Sequence, residues 1–208
     1  MFGGNFQTWK LHSAQDYFMF FAYILAGVLV FWLIAKHMNK QRNHEKAVEK
    51  VSARLKKICG KPGEVLKNAT LNLPEGKMTF DAVLMDKRGV YLVRTYGWGI
   101  KIYGTPDGAM WRREDAKRKE EFENPLLELK KGAAEITKVM EENGVQSLKV
   151  MPMVVFADNF QTPELYLGYG SFSTTYQELK NWYKKQSGVK EVQYDYDKVS
   201  SIIKGLAK

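Results

Sequence analysis

The stretch GVYLVRTYGWGIKIYG, residues 89–104, predicts two strands joined by a glycine-rich bend. An apolar run from Val90 to Val93 leads directly to Arg94. A charge beside such a run is costly to bury unless it pairs with an opposite charge or reaches water. The stretch therefore predicts part of a sheet, and it raises the question of what Arg94 contacts.

The chain around this stretch predicts several short strands that follow one another closely. The strand candidates are residues 65–73, 79–85, 90–95 and 100–103. The short turns PEG, DKRG and GWG separate them, which is typical of an antiparallel meander. Asp81 lies inside the second candidate, where a lone carboxylate is either a solvent-facing residue or one ligand of a metal ion.

Helices are predicted on both sides of these strands. An apolar stripe of Val48, Val51 and Leu55 predicts a helix over residues 43–58, and Asn124 followed by Pro125 predicts the start of another, which ends near Gly144. Further on, the sequence predicts an apolar strand at 148–157, a helix from Ser173 or Thr174 to Tyr183, a strand at 189–194 and a helix at 196–206. This order predicts an α/β domain with a mixed sheet and one crossover helix.

Residues 17–35 predict a transmembrane helix. These 19 positions carry no charge, and a helix of that length roughly spans a hydrocarbon core of about 30 Å. The alternative is a cleaved signal peptide. The anchor is favoured because the apolar run is long and is followed by KHMNKQRN rather than by small residues. The first helix of the domain either continues from the span or is separated from it by a break around residues 39–43.

The charges that flank the span predict its orientation. The first 16 residues hold one Lys and one Asp, whereas residues 36–57 hold eight Lys and Arg. The positive-inside rule therefore places the N-terminus outside and the rest in the cytoplasm of a cell-membrane protein. The basic stretch either sets only this topology or also contacts anionic lipid headgroups. The predicted organisation is an outer N-terminus at 1–16, a span at 17–36, a basic linker at 37–43 and a domain at 44–208.

Composition excludes some classes of site. The net charge of +9 is concentrated before residue 58, because beyond it 23 basic residues face 20 acidic ones. Bulk charge is thus a weak argument for nucleic-acid binding. The single cysteine, Cys59, cannot form an internal disulfide. A zinc site is not expected either, because His12, His37 and His44 all precede the predicted soluble part.

The order of these motifs resembles the nuclease-related domain, or NERD, family of the PD-(D/E)xK restriction-endonuclease-like superfamily. The similarity covers most of residues 44–160. It comprises the first helix, the strand VLKNATL, the stretch FDAVLMDKRGVYLVRTYGWGIKIYG, a tryptophan strand at 109–112, the helix start FENPLLELKKGA and the strand VMPMVVFA. The resemblance implies a restriction-endonuclease-like mixed sheet flanked by helices, here preceded by one transmembrane helix.

The resemblance also implies a set of site residues, of which this chain keeps only part. The metal-binding Asp of the family falls on Asp81, but Arg94 stands where the family has Glu. The catalytic Lys position falls on Tyr96. A Gln position on the following helix falls on Glu128, and the early helix Glu matches Glu45 best.

These replacements predict that metal-dependent hydrolysis is lost. Such nucleases use two carboxylates to hold the divalent cation that activates water, whereas Arg94 adds a permanent positive charge. We expect no cofactor and no metal, with Asp81 the one remaining ligand if any metal binds. The alternative is a Mg²⁺-dependent nuclease with displaced ligands drawn from Asp81, Asp86, Glu45 and Glu128. Arg94 is expected to pair with Asp81, or with Glu128, or else to reach solvent.

The segment WRREDAKRK, residues 111–119, is predicted to be a loop with nucleic-acid-binding candidates. These are Arg112, Arg113, Lys117, Arg118 and Lys119. Mixed-charge loops are more often simply solvated. The sequence therefore favours a membrane-anchored interaction or scaffold module whose partners are the lipid bilayer and another protein. Nucleic-acid binding without cleavage is the alternative.

Overall fold

The computed structural model describes residues 14–41, 43–97, 99–158, 161–186 and 194–207. The chain divides into two compact units between Lys40 and Gln41. The first unit contains helix α1, Ala14–Gln41. Its stretch Ala14–Lys36 is long and apolar enough to cross a membrane. This length and composition fit both the predicted anchor and a signal sequence near the N-terminus.

The second unit begins with helix α2, His44–Cys59, close to the predicted bounds. Asn43 has an extended backbone, and its side chain accepts a hydrogen bond from the N–H of Glu45, which caps the helix. Because this residue is not helical, α2 is separate from α1. The buried stripe of α2 includes the predicted Val48, Val51 and Leu55.

A five-stranded mixed sheet forms the centre of this unit. Its strands are β1 Glu64–Leu73, β2 Gly76–Asp86, β3 Gly89–Tyr96, β7 Val150–Phe156 and β9 Ser173–Thr175, in the order β1-β2-β3-β7-β9. The first three strands are antiparallel, and β3, β7 and β9 are parallel. The crossover between the parallel strands β3 and β7 contains helix α3, Pro125–Glu142. The predicted mixed sheet and crossover helix are therefore confirmed.

A second, four-stranded sheet corrects the prediction of one continuous meander. Its strands are β4 Lys101–Gly104, β5 Met110–Glu114, β6 Lys119–Glu123 and β8 Glu164–Leu167, in the order β6-β5-β4-β8. The chain leaves the first sheet after Tyr96. Gly99 lies in this connection with a φ of +125°, a conformation open mainly to glycine.

The segment predicted to be a loop at 111–119 is instead most of a β-hairpin. Strands β5 and β6 pair antiparallel, with Arg113 opposite Glu120 and Glu114 opposite Lys119. Opposite charges directly across an antiparallel pair stabilise it, which explains how so polar a segment forms strands. Cross-strand pairing therefore determines the structure of this segment, although its composition is typical of a loop.

The predicted helix cap at Ser173 or Thr174 is also wrong. These residues belong to β9, whose Thr174 and Thr175 lie opposite Val155 and Phe156 of β7. An apolar strand buried on both faces needs hydrogen-bond partners along both edges, and β9 supplies the second. Helix α4 therefore begins later and spans Leu179–Gln186.

The end of the chain is partly described. The predicted strand at 189–194 falls mostly outside the described residues, which resume at Tyr194. Asp195 then caps helix α5, Tyr196–Leu206, by accepting a hydrogen bond from the N–H of Lys198. The predicted last helix is confirmed.

The five-stranded sheet has an apolar layer on each face. Val90 and Leu92 belong to the layer that contains residues of α3, α5 and the second sheet. Tyr91 and Val93 belong to the layer that contains residues of α2 and α4. Because side chains alternate along a strand, Arg94 follows Leu92 toward the α3 side. The fold therefore places Arg94 between a buried sheet and a helix.

Candidate functional site

Asp81 and Arg94 lie next to each other on neighbouring strands. The register of β2 and β3 pairs Ala82 with Val93, so the next position along places Asp81 opposite Arg94. The side chain of Asp81 is buried and that of Arg94 is 21% exposed, and Arg94 Nη1 lies 3.7 Å from Asp81 Oδ1. The predicted cross-strand ion pair is thus present.

Arg94 makes its shortest ionic contact with α3. Its Nη2 donates to Glu128 Oε2 at 2.7 Å and to the carbonyl of Thr79 at 3.1 Å. Helix α3 is fixed in place by Asn124, whose side chain accepts from the N–H of Leu126 at 2.9 Å and donates to the carbonyl of Gly108. Glu128 lies in the first turn after this cap. Arg94 is therefore held between two carboxylates from two different elements.

One oxygen of Asp81 accepts a hydrogen bond and the other makes ionic contacts. Oδ2 accepts a hydrogen bond of 2.6 Å from the N–H of Thr95, and Oδ1 faces Arg94. His44, at the start of α2, brings its Nε2 to 3.4 Å from the same Oδ1. The sequence interpretation missed His44 because it assigned every histidine to the region before the domain. The sequence did carry a signal for His44, because this residue directly follows Asn43, which caps the first helix of the domain.

Glu45 is the remaining residue implied by the resemblance. It lies in the first turn of α2, where its side chain is exposed and its N–H is bound by Asn43. Within the described ranges, no three His, Cys, Asp or Glu side chains group closely enough to hold a metal ion. The structure therefore brings Asp81, Arg94 and Glu128 together, with His44 beside Asp81.

Tyr96 occupies the position where the resemblance places a lysine. Its ring packs against Phe122 and Phe156, with centroid separations of 4.9 and 5.6 Å, and the guanidinium of Arg113 lies 5.5 Å from it. Burial raises the pKa of Tyr96 to about 12, although Arg94 and Arg113 oppose the increase. The hydroxyl is therefore neutral at ordinary pH and cannot supply the positive charge of a lysine.

The side chains at this site are not suited to binding a divalent cation. Arg94 keeps a permanent positive charge within 4 Å of both carboxylates, and Asp81 is engaged by the N–H of Thr95 as well. Asp86, named as a displaced ligand, lies at the other end of β2 and accepts hydrogen bonds from the hydroxyl of Tyr183 and the N–H of Arg88. No catalytic step through a metal ion follows from this arrangement.

Charges in the β5–β6 hairpin largely pair with one another. Arg113 lies 2.9 Å from Glu120, Arg118 lies 3.0 Å from Asp115, and Lys119 lies 3.8 Å from Glu114. Arg112 lies 3.9 Å from Glu114 and stacks over Tyr103, and Lys117 donates its backbone N–H to Asp115. Nucleic-acid binding through these five residues stays a prediction, which this compensation of charge does not favour.

Comparison with known proteins supports the family resemblance. The family model described as the nuclease-related domain, NERD, matches residues 40–157, more than half of the chain. The uncharacterized protein pXO1-01 of Bacillus anthracis is 32% identical over 112 residues, which cover 52% of each chain. The chain thus spans about half the length of this relative. No solved structure matches the chain. The resemblance is confirmed, and the chain belongs to the NERD family of nuclease-related domains.

Proposed function

We propose that this protein is a membrane-anchored NERD protein whose cytoplasmic domain has lost nuclease activity and acts as an interaction module. The observation that carries the proposal is the position of Arg94, between Asp81 and Glu128 at 3.7 and 2.7 Å. The guanidinium occupies the place where the family resemblance puts a metal ligand.

Electrostatics explains why this exchange abolishes metal binding. At an effective dielectric constant of about 20, two unit charges 4 Å apart repel by roughly 4 kcal/mol, and a divalent ion doubles the repulsion. Displacing Arg94 instead would leave a mostly buried cation without its partners, since its side chain is only 21% exposed. Either route opposes entry of Mg²⁺, so we propose no metal cofactor.

The composition of α1 supports a membrane anchor. Large apolar side chains are exposed along the helix, from Tyr17 to Ile34. A helix that is apolar on all sides is stable in a bilayer rather than in water. The excess of basic residues after the span supports an N-terminus outside and a domain in the cytoplasm.

An exposed aromatic surface supports a protein partner. Tyr166, in β8, and Tyr169 and Phe172, between β8 and β9, are 51%, 106% and 39% exposed, respectively. Tyr103 stacks on Tyr166 with centroids 4.9 Å apart and extends this surface onto the second sheet. Clustered exposed aromatic side chains are typical of protein interfaces.

A nuclease assay tests the loss of activity. The full chain in neutral detergent is incubated with plasmid and with single-stranded DNA in the presence of Mg²⁺ or Mn²⁺. We expect no more cleavage than with Asp81→Ala. The control Asp107→Ala removes an exposed carboxylate far along the sequence, on the β4–β5 connection. Cleavage that disappears in Asp81→Ala and persists in Asp107→Ala would establish the alternative, an active nuclease.

The anchor and the interaction surface need separate tests. A membrane-spanning chain resists carbonate extraction and retains its full mass, whereas a cleaved signal sequence shortens it. For the partner, a photo-crosslinking residue is placed at Tyr169 or, as an exposed control on α3, at Lys138. We expect protein adducts at position 169 and not at position 138. Equal labelling at both positions would contradict the proposed surface.

A further inference from the structure

A cationic groove lies on the α2 face of the sheet. Helix α2, helix α4 and Arg88, in the turn before β3, enclose a volume of about 700 Å³. This volume is typical of a small-molecule site. Of the ten lining residues within the described ranges, six are basic and none is acidic: Lys50, Arg54, Lys57, Arg88, Lys180 and Lys184.

The spacing of these cations sets the size of a fitting ligand. Lys50, Arg54 and Lys57 follow one another at intervals of four and three residues on α2, so they share one face over about 10 Å of helix. Lys180 and Lys184 have the same four-residue spacing on α4. A single phosphate group is too small to contact the whole row, whereas two or more linked phosphate groups extend along it.

Two of the cations are held in place by aromatic rings. The guanidinium of Arg54 lies 4.6 Å from the ring centroid of Tyr176, and that of Arg88 lies 4.1 Å from that of Tyr183. Each also donates one hydrogen bond to a backbone carbonyl, at 3.3 and 3.1 Å. Because a guanidinium has five N–H groups, each side chain has further donors in a fixed orientation for phosphate oxygens.

The neighbouring carboxylate is turned away from the groove. Asp86 is buried, and it accepts hydrogen bonds from the hydroxyl of Tyr183 and from the N–H of Arg88. The carboxylate of Asp86 thus helps to hold Tyr183 and Arg88 in place. The described lining of the groove is strongly basic, so an anion that binds there is attracted by several cations at once.

We propose that this groove binds a ligand that carries two or more phosphate groups. Its source is either a soluble diphosphate compound or a membrane lipid whose headgroup holds two phosphates. This proposal stands apart from the loss of nuclease activity, because the described lining of the groove includes none of Asp81, Arg94 and Glu128. Nucleic acid is a poorer fit. Arg54 and Arg88 each lie over one face of a ring, Tyr176 and Tyr183, which reduces the ring surface left for base stacking.

Calorimetric titration of the full chain in neutral detergent with pyrophosphate tests the site. We expect binding that weakens about tenfold or more in Arg54→Gln/Arg88→Gln, since each loses charge-assisted hydrogen bonds. Lys57→Gln/Lys180→Gln, which changes only exposed side chains, is expected to weaken binding similarly. The control Lys77→Gln/Lys138→Gln removes two exposed charges outside the groove and should bind as the unmodified chain does.

A lipid arm distinguishes the two sources of phosphate. The titration is repeated in nanodiscs of phosphatidylcholine with or without cardiolipin, whose headgroup carries two phosphates. If cardiolipin weakens pyrophosphate binding, the lipid headgroup competes for the groove. If it has no effect, the ligand is a soluble compound. Both results support the proposal.

Three results would overturn the proposal. The first is an unmodified, folded chain that does not bind pyrophosphate. The second is an affinity in both groove variants equal to that of the unmodified chain. The third is a loss of affinity in the control variant equal to the loss in the groove variants. Tighter binding of a DNA duplex that depends on the same four residues would assign the groove to nucleic acid and would also overturn it. Circular dichroism of each variant confirms that the fold is kept.

Discussion

On the α3 face of the sheet, Arg94 lies between Asp81 and Glu128, whereas on the α2 face the described lining of a groove holds six cations and no acidic residue. The first face balances its charge internally, across strands and a helix. The second concentrates charge of one sign. A charged side chain that is already paired stabilises the fold, whereas unbalanced charge is available to an external partner.

This difference bears on how a nuclease-related domain can change its role. Under the proposed function, Arg94 stands in place of a metal-binding carboxylate, and its ion pairs link β2, β3 and α3 instead. Under the proposed function, binding is carried out by other surfaces. The two faces should therefore respond in opposite ways when charge is removed.

Removal of Asp81 should have the largest effect. Asp81→Ala leaves the N–H of Thr95 without its acceptor and Arg94 without one partner, so we expect destabilisation of about 3 kcal/mol. The measurement is urea denaturation of the full chain in detergent, followed by tryptophan fluorescence. Asp107→Ala is the control, because its side chain is 90% exposed. A change within about 0.5 kcal/mol for both variants would contradict the structural role of Asp81.

The coupling between Arg94 and Glu128 should be smaller. Their contact is 2.7 Å, but the side chain of Glu128 is 49% exposed, so we expect a coupling energy of about 1 kcal/mol. A double-mutant cycle with Arg94→Met and Glu128→Gln measures it. Strictly additive effects would show that solvent screens the contact completely.

Charge removal from the groove should have the opposite sign. Lys57 and Lys180 are exposed groove cations, so Lys57→Gln/Lys180→Gln should stabilise the unliganded chain by about 0.5 kcal/mol at low salt. The gain should disappear near 1 M salt, where charges are screened beyond about 3 Å. Destabilisation at low salt would mean that these lysines are paired, and the contrast between the faces would fail.

Alkaline titration should give the smallest effect. Burial raises the pKa of Tyr96 to about 12, and burial together with Asp86 raises that of Tyr183 further. Both pKa values are then above the unfolded value of about 10. The stability contributed by each neutral hydroxyl is present below pH 10 and is lost as the pH rises through the folded pKa. Ultraviolet absorbance of Tyr96→Phe and Tyr183→Phe should show Tyr96 ionising first. Ionisation of Tyr183 before Tyr96 would contradict the conclusion that nearby cations limit the increase in the pKa of Tyr96.

Local patterns predicted much of the fold. The stripe on α2, the Asn124 cap and the apolar run of β3 each reflect short-range physics, and each is found in the structure. The crossover helix followed from the order of elements. Two sheets rather than one could not be predicted, because the partner of β4 is β8, more than 50 residues away.

The candidate site was predicted in part for the same reason. Spacing along adjacent strands placed Asp81 near Arg94, and Glu128 was expected as a second partner, but the contact of His44 depends on a helix position that no local pattern fixes. The groove shows the same limit. The rows on α2 and α4 are visible in the sequence as four- and three-residue spacings, whereas their convergence with Arg88 is a tertiary property.

Manganese binding tests the central claim most directly, because the claim is that the guanidinium of Arg94 excludes a divalent ion. Electron paramagnetic resonance of Mn²⁺ titrated into the full chain in neutral detergent measures the free ion. We predict the spectrum of free Mn²⁺ with the unmodified chain and loss of that signal with Arg94→Glu, which adds a carboxylate beside Asp81 and Glu128. Binding by the unmodified chain that disappears in Asp81→Ala would contradict the account.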